Sequence, residues 1–370
     1  MAVIVFTGGG TGGHIYPGLA VIEALKQKSP DTKVYWIGSG KETERQAVES
    51  EGISYFSVSS GKLRRNFSLR NFTDIFRVIA GIGESRRLLR HLKADLLFSK
   101  GGYVSVTPCI AASQLGIPVI THESDVSPGL ATRINLRFAD RLIASWEKTL
   151  ELLKPRLRAR TIVLGNPIRS AIARGNPERG RAFLGMDGSK PVLLVLGGSQ
   201  GADQINKLVE EAAPALLKKV SIAHQTGPGK RTSIPDGSQY RQFPYVTKEM
   251  PDILAASDII LCRAGAGTLW ECTAAGKPMV LLPLCGSGTR GDQVENTKLL
   301  EEQDAAYGFT GDEASAEAVT QKIFFLAENP AEGKRMAANA RAMLKTDAAE
   351  KAADFCLEFL RQTGGRNEHS

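Results

Sequence analysis

The 370-residue sequence predicts an α/β protein of two doubly wound, Rossmann-like domains that face a central cleft. Short β-type runs alternate with helix-length segments along the whole chain, which is typical of βαβ units and parallel sheets. Each half also opens with a hydrophobic strand that runs into a glycine-rich loop. Finally, the length suits two domains of about 150 to 200 residues each.

The order of the predicted elements defines the domains. In the first half, the pattern predicts strands at residues 3–6, 34–37, 96–99, 118–121 and 141–144. In the second half, it predicts strands at residues 192–196, 221–224, 240–243, 259–262 and 279–282. We therefore predict an N-terminal domain over 1–164 and a C-terminal domain over 165–342, joined at Gly165-Asn166-Pro167. A long helical pattern covers 331–361, and we expect its last part, about 343–361, to pack back on the first domain.

The first glycine loop, GGGTGGHIYPG at 8–18, directly follows the first predicted strand. Glycines let the backbone approach an anion, and the N–H groups that begin a helix favour negative charge. The loop matches G-x-G-x-x-G, but the second strand ends without the acidic residue that a dinucleotide site requires, and no Walker lysine is present. The loop thus predicts a phosphate site, and His14 beside it suggests chemistry there.

Positive charge is concentrated in the first half of the chain. Residues 1–160 carry 23 Lys and Arg against 14 Asp and Glu, a net +9, whereas the remainder is close to neutral. Within 61–93, nine basic and two acidic residues are interleaved with apolar ones, as in segments that lie on anionic membranes. An ordinary amphipathic helix with its apolar side on the core is the alternative. We expect no nucleic acid partner, because no recognition module accompanies the charge.

Composition sets the broad class. The chain is 42% hydrophobic and 23% charged, as in globular proteins, and we see no transmembrane run or signal peptide in the sequence. Its five cysteines form no C-x-x-C pair, so we expect reduced, mostly buried thiols in a cytosolic protein. The sequence contains no Asp-x-Asp motif, so we do not predict a metal ion bound by such a motif.

A second chemical cluster spans 258–271. The strand at 259–262 leads into a glycine loop, and the spacing of Thr268 and Glu271 fits a capping box at the start of the next helix. Alternatively, the helix N-terminus takes a diphosphate and the Glu271 carboxylate accepts hydrogen bonds from ribose hydroxyls. Spacing alone leaves both interpretations open.

Seven motifs together show a resemblance that covers nearly the whole chain. They are GGGTGGHIYPGLA at 8–20, KGGYVSVTP at 100–108, IPVITHESDVSPGLATR at 117–133, GNPIR at 165–169, GGSQGA at 197–202, RAGAGTLWE at 263–271 and GDQVEN at 291–296. In this order they resemble the MurG-type N-acetylglucosaminyltransferases of peptidoglycan synthesis, which have the GT-B architecture. The resemblance implies transfer of N-acetylglucosamine from UDP-N-acetylglucosamine to the 4-hydroxyl of the muramoyl sugar of a polyprenyl-diphosphate-linked muramoyl peptide, with inversion. It also implies a peripheral enzyme on the cytoplasmic face of the bacterial membrane, without a cofactor.

The resemblance also implies site residues. Donor contacts are expected from Thr11, Gly12, Gly13, Asp125, Arg169, Ser199, Val246, Ala266, Gly267, Thr268, Leu269, Trp270, Glu271 and Gln293. Val246 is the nearest match for uracil recognition, although its spacing to the next motif is one residue longer than in the family. HESD at 122–125 stands where the family usually has HEQN, so Asp125 replaces an asparagine and an amide donor is lost.

The acceptor side depends on the second glycine loop and on a base. We expect Gly101, Gly102 and Tyr103 to receive the acceptor diphosphate. The reaction needs a base for the acceptor hydroxyl, and histidine titrates near neutrality. We assign His14 as base or acceptor positioner, with Glu123 as the competing base.

Three other functions share parts of this pattern. UDP-N-acetylglucosamine 2-epimerases have the same two-domain architecture and donor, so the nucleotide half does not separate them. The basic, apolar segment at 61–93 argues against a soluble epimerase. A transferase for another lipid acceptor and a scaffold protein without turnover are the remaining alternatives.

Overall fold

The computed structural model describes residues 1–10, 12–61, 70–186, 188–286, 289–343, 345 and 347–367. It contains two compact units, one formed by Met1–Arg169 with Lys345–Ser370 and the other by Ser170–Leu344. Each unit is built on one parallel sheet, so the predicted α/β, doubly wound class is confirmed. The boundary follows Arg169, whereas we predicted it before Gly165.

The first unit has a seven-stranded sheet in the order β3-β2-β1-β4-β5-β6-β7. Its strands are β1 (Val3–Thr7), β2 (Lys33–Gly38), β3 (Ser54–Ser57), β4 (Leu96–Ser99), β5 (Val119–Glu123), β6 (Arg141–Ala144) and β7 (Thr161–Val163). The connecting helices are α1 (Tyr16–Lys28), α2 (Glu42–Glu49), α3 (Arg70–Leu92), α4 (Val106–Gln114), α5 (Leu130–Asn135), α6 (Lys148–Glu151) and α7 (Pro155–Arg158). Every residue of β1, β4 and β5 is buried, because helices cover both faces of the sheet.

The second unit has a six-stranded sheet in the order β10-β9-β8-β11-β12-β13. Its strands are β8 (Val192–Leu196), β9 (Ser221–Gln225), β10 (Tyr240–Phe243), β11 (Ile259–Cys262), β12 (Met279–Leu281) and β13 (Tyr307–Gly308). Its helices are α8 (Ser170–Ala173), α9 (Pro177–Leu184), α10 (Asp203–Leu216), α11 (Met250–Ala256), α12 (Ala266–Ala274), α13 (Asp292–Glu301), α14 (Ala316–Glu328) and α15 (Pro330–Ala342).

The C-terminal region is divided between the two units, and its last helix belongs to the first, as we expected. The long helical pattern at 331–361 forms two helices, α15 and α16 (Ala348–Asn367). The chain leaves the second unit between them, and α16 packs in the first unit through buried Ala352, Cys356 and Phe359. Among the described residues, no helix is both long and apolar enough to cross a membrane.

Candidate active site

The first unit brings two glycine loops together at the point where its strand order reverses. Strands β1 and β4 are neighbours, and β2 pairs with the other side of β1. The connections that follow β1 and β4 run to opposite faces of the sheet, and the two loops meet at the carboxyl ends of these strands, where ligands of such sheets bind. The loop after β1 carries Gly8 to His14, and the loop after β4 carries Lys100 to Tyr103.

Close packing between the loops explains why glycines occupy them. Gly101 and Gly102 have φ of 85° and 78°, the left-handed region that favours glycine. A Cβ on Gly102 would lie 2.5 Å from the carbonyl oxygen of Gly9 and 3.0 Å from Cδ2 of His14. Only glycine at this position lets the imidazole lie against the second loop.

A buried carboxylate that we did not predict holds the first loop. Glu44 of α2 is 2% exposed, and its two carboxylate oxygens accept the N–H of Gly10 at 2.6 Å and of Ser39 at 2.9 Å. The Tyr55 hydroxyl also donates to it at 3.2 Å. Burial and this carboxylate raise the pKa of the Tyr55 phenol above its ordinary value. The N–H of Gly10 is thus already used by the protein's own anion.

Glu123, the competing base, ends β5 and is buried. One of its oxygens accepts the N–H groups of Ser124 and Asp125 at 2.9 and 3.1 Å, and the other accepts that of Gly129 at 3.0 Å. The carboxylate therefore holds the turn that follows β5. Both oxygens of Glu123 are therefore engaged by backbone N–H groups of this turn.

Lys100, which we did not single out from the sequence, is a second buried charge in this region. Its side chain is 2% exposed, and Nζ donates to Oγ of Ser124 at 2.6 Å. Oγ of Ser124 in turn donates to Oδ1 of Asn166 at 2.6 Å. Burial lowers the pKa of Lys100 to about 8, against the opposing effect of the Glu123 and Asp125 carboxylates.

A polar cavity lies beside the second loop. Its volume is about 750 Å³, and its lining comprises four serines and Val58 at and after the ends of β2 and β3, three charged residues of α3, and Tyr103. The carboxylate of Glu84 accepts hydrogen bonds from the backbone N–H and the hydroxyl of Ser59. This cavity can hold a hydrophilic group next to Tyr103.

Three of the remaining predicted residues of the first unit, Gly12, Gly13 and Arg169, lie near the start of α1. Gly12 and Gly13 form a short 3-10 helix with His14, and Thr11 lies outside the described residues. The guanidinium of Arg169 stacks over the ring of Tyr16 at 4.6 Å. Asp125 is half-buried.

The second unit repeats the arrangement at its own switch point. Strands β8 and β11 are neighbours, and β9 pairs with the other side of β8. The loop after β8 carries Ser199, which is half-buried, and Gly201 with φ of 68°. A Cβ on Gly201 would lie 2.1 Å from the carbonyl oxygen of Thr226, so glycine is required where this loop meets the chain after β9.

The capping-box prediction for Thr268 and Glu271 is wrong. Helix α12 begins at Ala266, and its N-cap is Gly265 in an extended conformation. Glycine permits this earlier start but has no side chain with which to cap the first N–H groups. Thr268 therefore lies inside the first turn, and Glu271 lies one turn further along, half-buried. The capping explanation of Glu271 is thereby removed.

Side chains from α13 and β9 hold loops of the second unit. Gln293 accepts the N–H of Leu284 at 2.8 Å. Buried Asn296, which we did not predict, donates to the carbonyl oxygen of Ala264 at 3.0 Å. The N–H of Val246 donates to the side chain of Gln225 at 3.1 Å, so the backbone N–H of this proposed uracil contact is engaged within the protein.

Buried His224 of β9 completes the second unit's polar network. Its ring is within hydrogen-bond distance of the Tyr240 hydroxyl and of Oδ1 of Asn206, at 3.0 and 3.1 Å. Burial lowers its pKa to about 4, so the ring is neutral at physiological pH. Asn206 also donates to the carbonyl oxygen of Thr226, which fixes the chain against Gly201.

Two parallel-sheet units, each with glycine loops at its switch point, are the architecture of the GT-B fold. Comparison with known protein families identifies the chain as a glycosyltransferase of this fold. The N-terminal domain model of glycosyltransferase family 28 matches residues 4–144, and the C-terminal domain model of the same family matches residues 192–354.

Comparison with individual proteins identifies a narrower family within this class. A Treponema denticola protein named UDP-N-acetylglucosamine–N-acetylmuramyl-(pentapeptide) pyrophosphoryl-undecaprenol N-acetylglucosamine transferase is 43% identical, over 98% of this chain and 97% of its own. The crystal structure of Acinetobacter baumannii MurG superposes with a TM-score of 0.70 at 24% identity, covering 96% of this chain and 99% of that one. A Neisseria meningitidis UDP-GlcNAc 2-epimerase bound to UDP-GlcNAc has a TM-score of 0.69 at 16% identity, covering 97% and 100%; both structures show the fold alone.

The chain belongs to glycosyltransferase family 28 and, within it, to the MurG family of N-acetylglucosaminyltransferases. It is a hexosyltransferase.

Proposed function

We propose that the protein transfers N-acetylglucosamine from UDP-N-acetylglucosamine to the 4-hydroxyl of the muramoyl sugar of lipid I, which gives lipid II for peptidoglycan synthesis. The relative that is 43% identical over 98% of this chain, whose name states this donor and this acceptor, is the observation that carries the proposal. The glycine loops at both switch points agree with it.

The second unit holds the donor. The first turn of α12 presents N–H groups without a side-chain cap, and such a helix N-terminus stabilises the charge of a diphosphate. Glu271, which does not cap the helix, lies one turn further along α12, where its carboxylate accepts hydrogen bonds from the ribose hydroxyls. Ser199 and Gln293 contact the diphosphate and the sugar.

The first unit holds and activates the acceptor. The 4-hydroxyl attacks the anomeric carbon, the bond from that carbon to UDP breaks, and the hydroxyl proton passes to His14. The loop of Gly101, Gly102 and Tyr103 receives the acceptor diphosphate. The polar cavity beside Tyr103 takes a hydrophilic part of the muramoyl peptide.

Helix α3 provides the membrane contact. Ile75, Phe76 and Ile79 are 50%, 71% and 61% exposed, whereas the opposite side of α3 packs on the core through residues such as Leu89. An ordinary core-packed helix would not leave three large apolar side chains in water. Exposed Arg77, Arg86, Arg87 and Arg90 accompany them, as on helices that lie on anionic lipid; Lys62, Arg64 and Arg65 lie outside the described residues. The protein accordingly acts at the cytoplasmic membrane face.

Release of UDP tests the function directly. The enzyme is incubated with UDP-N-acetylglucosamine, with and without a soluble polyprenyl-diphosphoryl muramoyl-pentapeptide analogue. The mass of the product is then measured by mass spectrometry. We expect UDP only with acceptor, and a product heavier by one N-acetylhexosamine. Conversion of the donor without acceptor would indicate an epimerase or hydrolase, and binding without turnover a scaffold or another acceptor; either result contradicts the proposal.

A further inference from the structure

A chain of hydrogen bonds in the second unit runs through His224. Nδ1 of its ring lies 3.0 Å from the Tyr240 hydroxyl, and Nε2 lies 3.1 Å from Oδ1 of Asn206. The NH₂ group of Asn206, at the start of α10, donates to the carbonyl oxygens of Thr226 at 3.0 Å and Lys230 at 3.2 Å. The imidazole is fully buried, so the protein itself has to satisfy both ring nitrogens.

These partners decide which ring nitrogen carries the proton. Both hydrogens of the Asn206 amide are used, so its Oδ1 faces the ring and can only accept a hydrogen bond. Nε2 of His224 is therefore protonated and donates. In a neutral imidazole Nδ1 is then a bare acceptor, to which the Tyr240 hydroxyl donates. That hydroxyl in turn accepts from Oγ1 of Thr232 at 2.7 Å.

The loop after β8, which carries Ser199, rests on the chain that follows β9. A Cβ on Gly201 would lie 2.1 Å from the carbonyl oxygen of Thr226, and one on Gly227 would lie 2.5 Å from Cα of Gly201. The two backbones are thus in direct contact, with no room for a side chain between them. Any shift of Thr226 would therefore displace the loop that carries Ser199.

We propose that His224 is a positioning residue for the nucleotide-sugar donor. Its Nε2–H fixes the Asn206 carboxamide in the orientation that binds the carbonyl oxygens of Thr226 and Lys230. The turn that these two residues bound then supports the loop of Ser199 at the donor diphosphate. Because the ring is fully buried, it acts through Asn206 and not on the donor itself. The inference rests on the proposed transferase function, which assigns the donor to this unit.

Three variants and a control test the donated hydrogen bond. His224→Leu removes it and leaves a buried acceptor unsatisfied, and Asn206→Ala removes the contact to the turn itself. In His224→Gln, the side-chain NH₂ group stands near the place of Nε2 and restores a donor. Glu211→Ala, at an exposed position of α10, is the matched control and should behave as wild type.

Donor binding is the property that should change. We expect His224→Leu to raise the donor KM and the Kd for UDP about tenfold or more, as one unsatisfied buried hydrogen-bonding group does. His224→Gln should return both constants to within about threefold of wild type, and the acceptor KM should stay within about twofold throughout. A residue that only stabilises the fold would lower the amount of active enzyme and leave these constants unchanged. Equal donor constants in His224→Leu and wild type would overturn the proposal.

A double variant shows whether His224 acts through Asn206. If it does, His224→Leu adds nothing once the carboxamide is gone. The Kd for UDP of the double variant should then equal that of Asn206→Ala within about twofold. Effects of the two substitutions that multiply would contradict the proposed route.

The position of the proton is measured in the wild-type protein, without any variant enzyme. Nitrogen NMR of the histidine rings distinguishes a protonated nitrogen from a bare one, and comparison with His224→Gln assigns the ring. We expect Nε2 to be protonated and Nδ1 to be bare; a proton on Nδ1 would refute the order of hydrogen bonds. This spectrum and UDP binding need no turnover. They decide the inference even if wild type fails to transfer N-acetylglucosamine, a result that would contradict only the proposed function.

Discussion

The buried Glu44 carboxylate offers a sharp test of how the first glycine loop is held. Its oxygens accept one backbone N–H each, from Gly10 at 2.6 Å and from Ser39 at 2.9 Å. In Glu44→Gln, either orientation of the amide places its NH₂ group against one of these N–H groups. The variant therefore loses one charge-assisted hydrogen bond and leaves a buried donor unsatisfied.

The cost follows from these two losses. A hydrogen bond to a charged group contributes about 1.5 to 3 kcal/mol, and an unsatisfied buried donor costs about 1 to 3 kcal/mol. Because the two estimates partly count the same lost hydrogen bond, we expect the free energy of unfolding to fall by about 3 kcal/mol. For a unit of this size each kcal/mol shifts the midpoint by roughly 2 to 4 °C. The first unit should then unfold roughly 6 to 12 °C lower.

Calorimetry and hydrogen exchange measure the effect. Glu42→Gln is the matched control, since Glu42 lies on the same helix with a side chain 68% exposed. We expect faster amide exchange at 8–14 in Glu44→Gln and unchanged exchange at 197–202, together with a fall in kcat of about tenfold or more as His14 is displaced. If Glu44→Gln unfolds and exchanges like Glu42→Gln, the carboxylate does not hold the loop.

Three further predictions address the proposed roles. His14→Ala should lower kcat by about 10² to 10⁴-fold, the range of general-base catalysis, with donor KM little changed; full turnover would remove the base assignment. Glu271→Ala should raise donor KM and weaken UDP binding in calorimetric titration, and an unchanged KM would exclude the ribose contact. Replacing Ile75, Phe76 and Ile79 with serine should abolish sedimentation with anionic vesicles, whereas the exposed-leucine control Leu152→Ser should not; equal binding of both proteins would contradict the membrane role.

The central strands were predictable from the sequence. All ten predicted strands are present within two residues of their expected ends, because buried parallel strands form continuous apolar runs. The strands that we did not predict are β3, β7 and β13. They are short and lie at or near sheet edges, and their residues are largely half-buried or exposed. Such strands lack the apolar signal.

The charged side chains that hold the site were not predictable. Glu44 lies in a polar helix whose sequence resembles a solvated surface, and Lys100 looks like an ordinary loop lysine. Their burial depends on which loops meet at the end of the sheet, which only the strand order decides. The capping error has a local cause, because glycine at 265 allows α12 to begin before Thr268.

The transferase and epimerase functions differ in what the first unit must do. Both need a nucleotide-sugar site, so the loops after β8 and β11 serve either enzyme and do not separate them. An epimerase has no second substrate with a lipid tail, and it gains nothing from three exposed apolar side chains on α3 that cost solubility. A transferase to a membrane-bound acceptor needs such a surface on the unit that also carries His14 and Tyr103. The features of the first unit therefore argue for the transferase, because they place a helix with an exposed apolar surface and a candidate base in one compact unit.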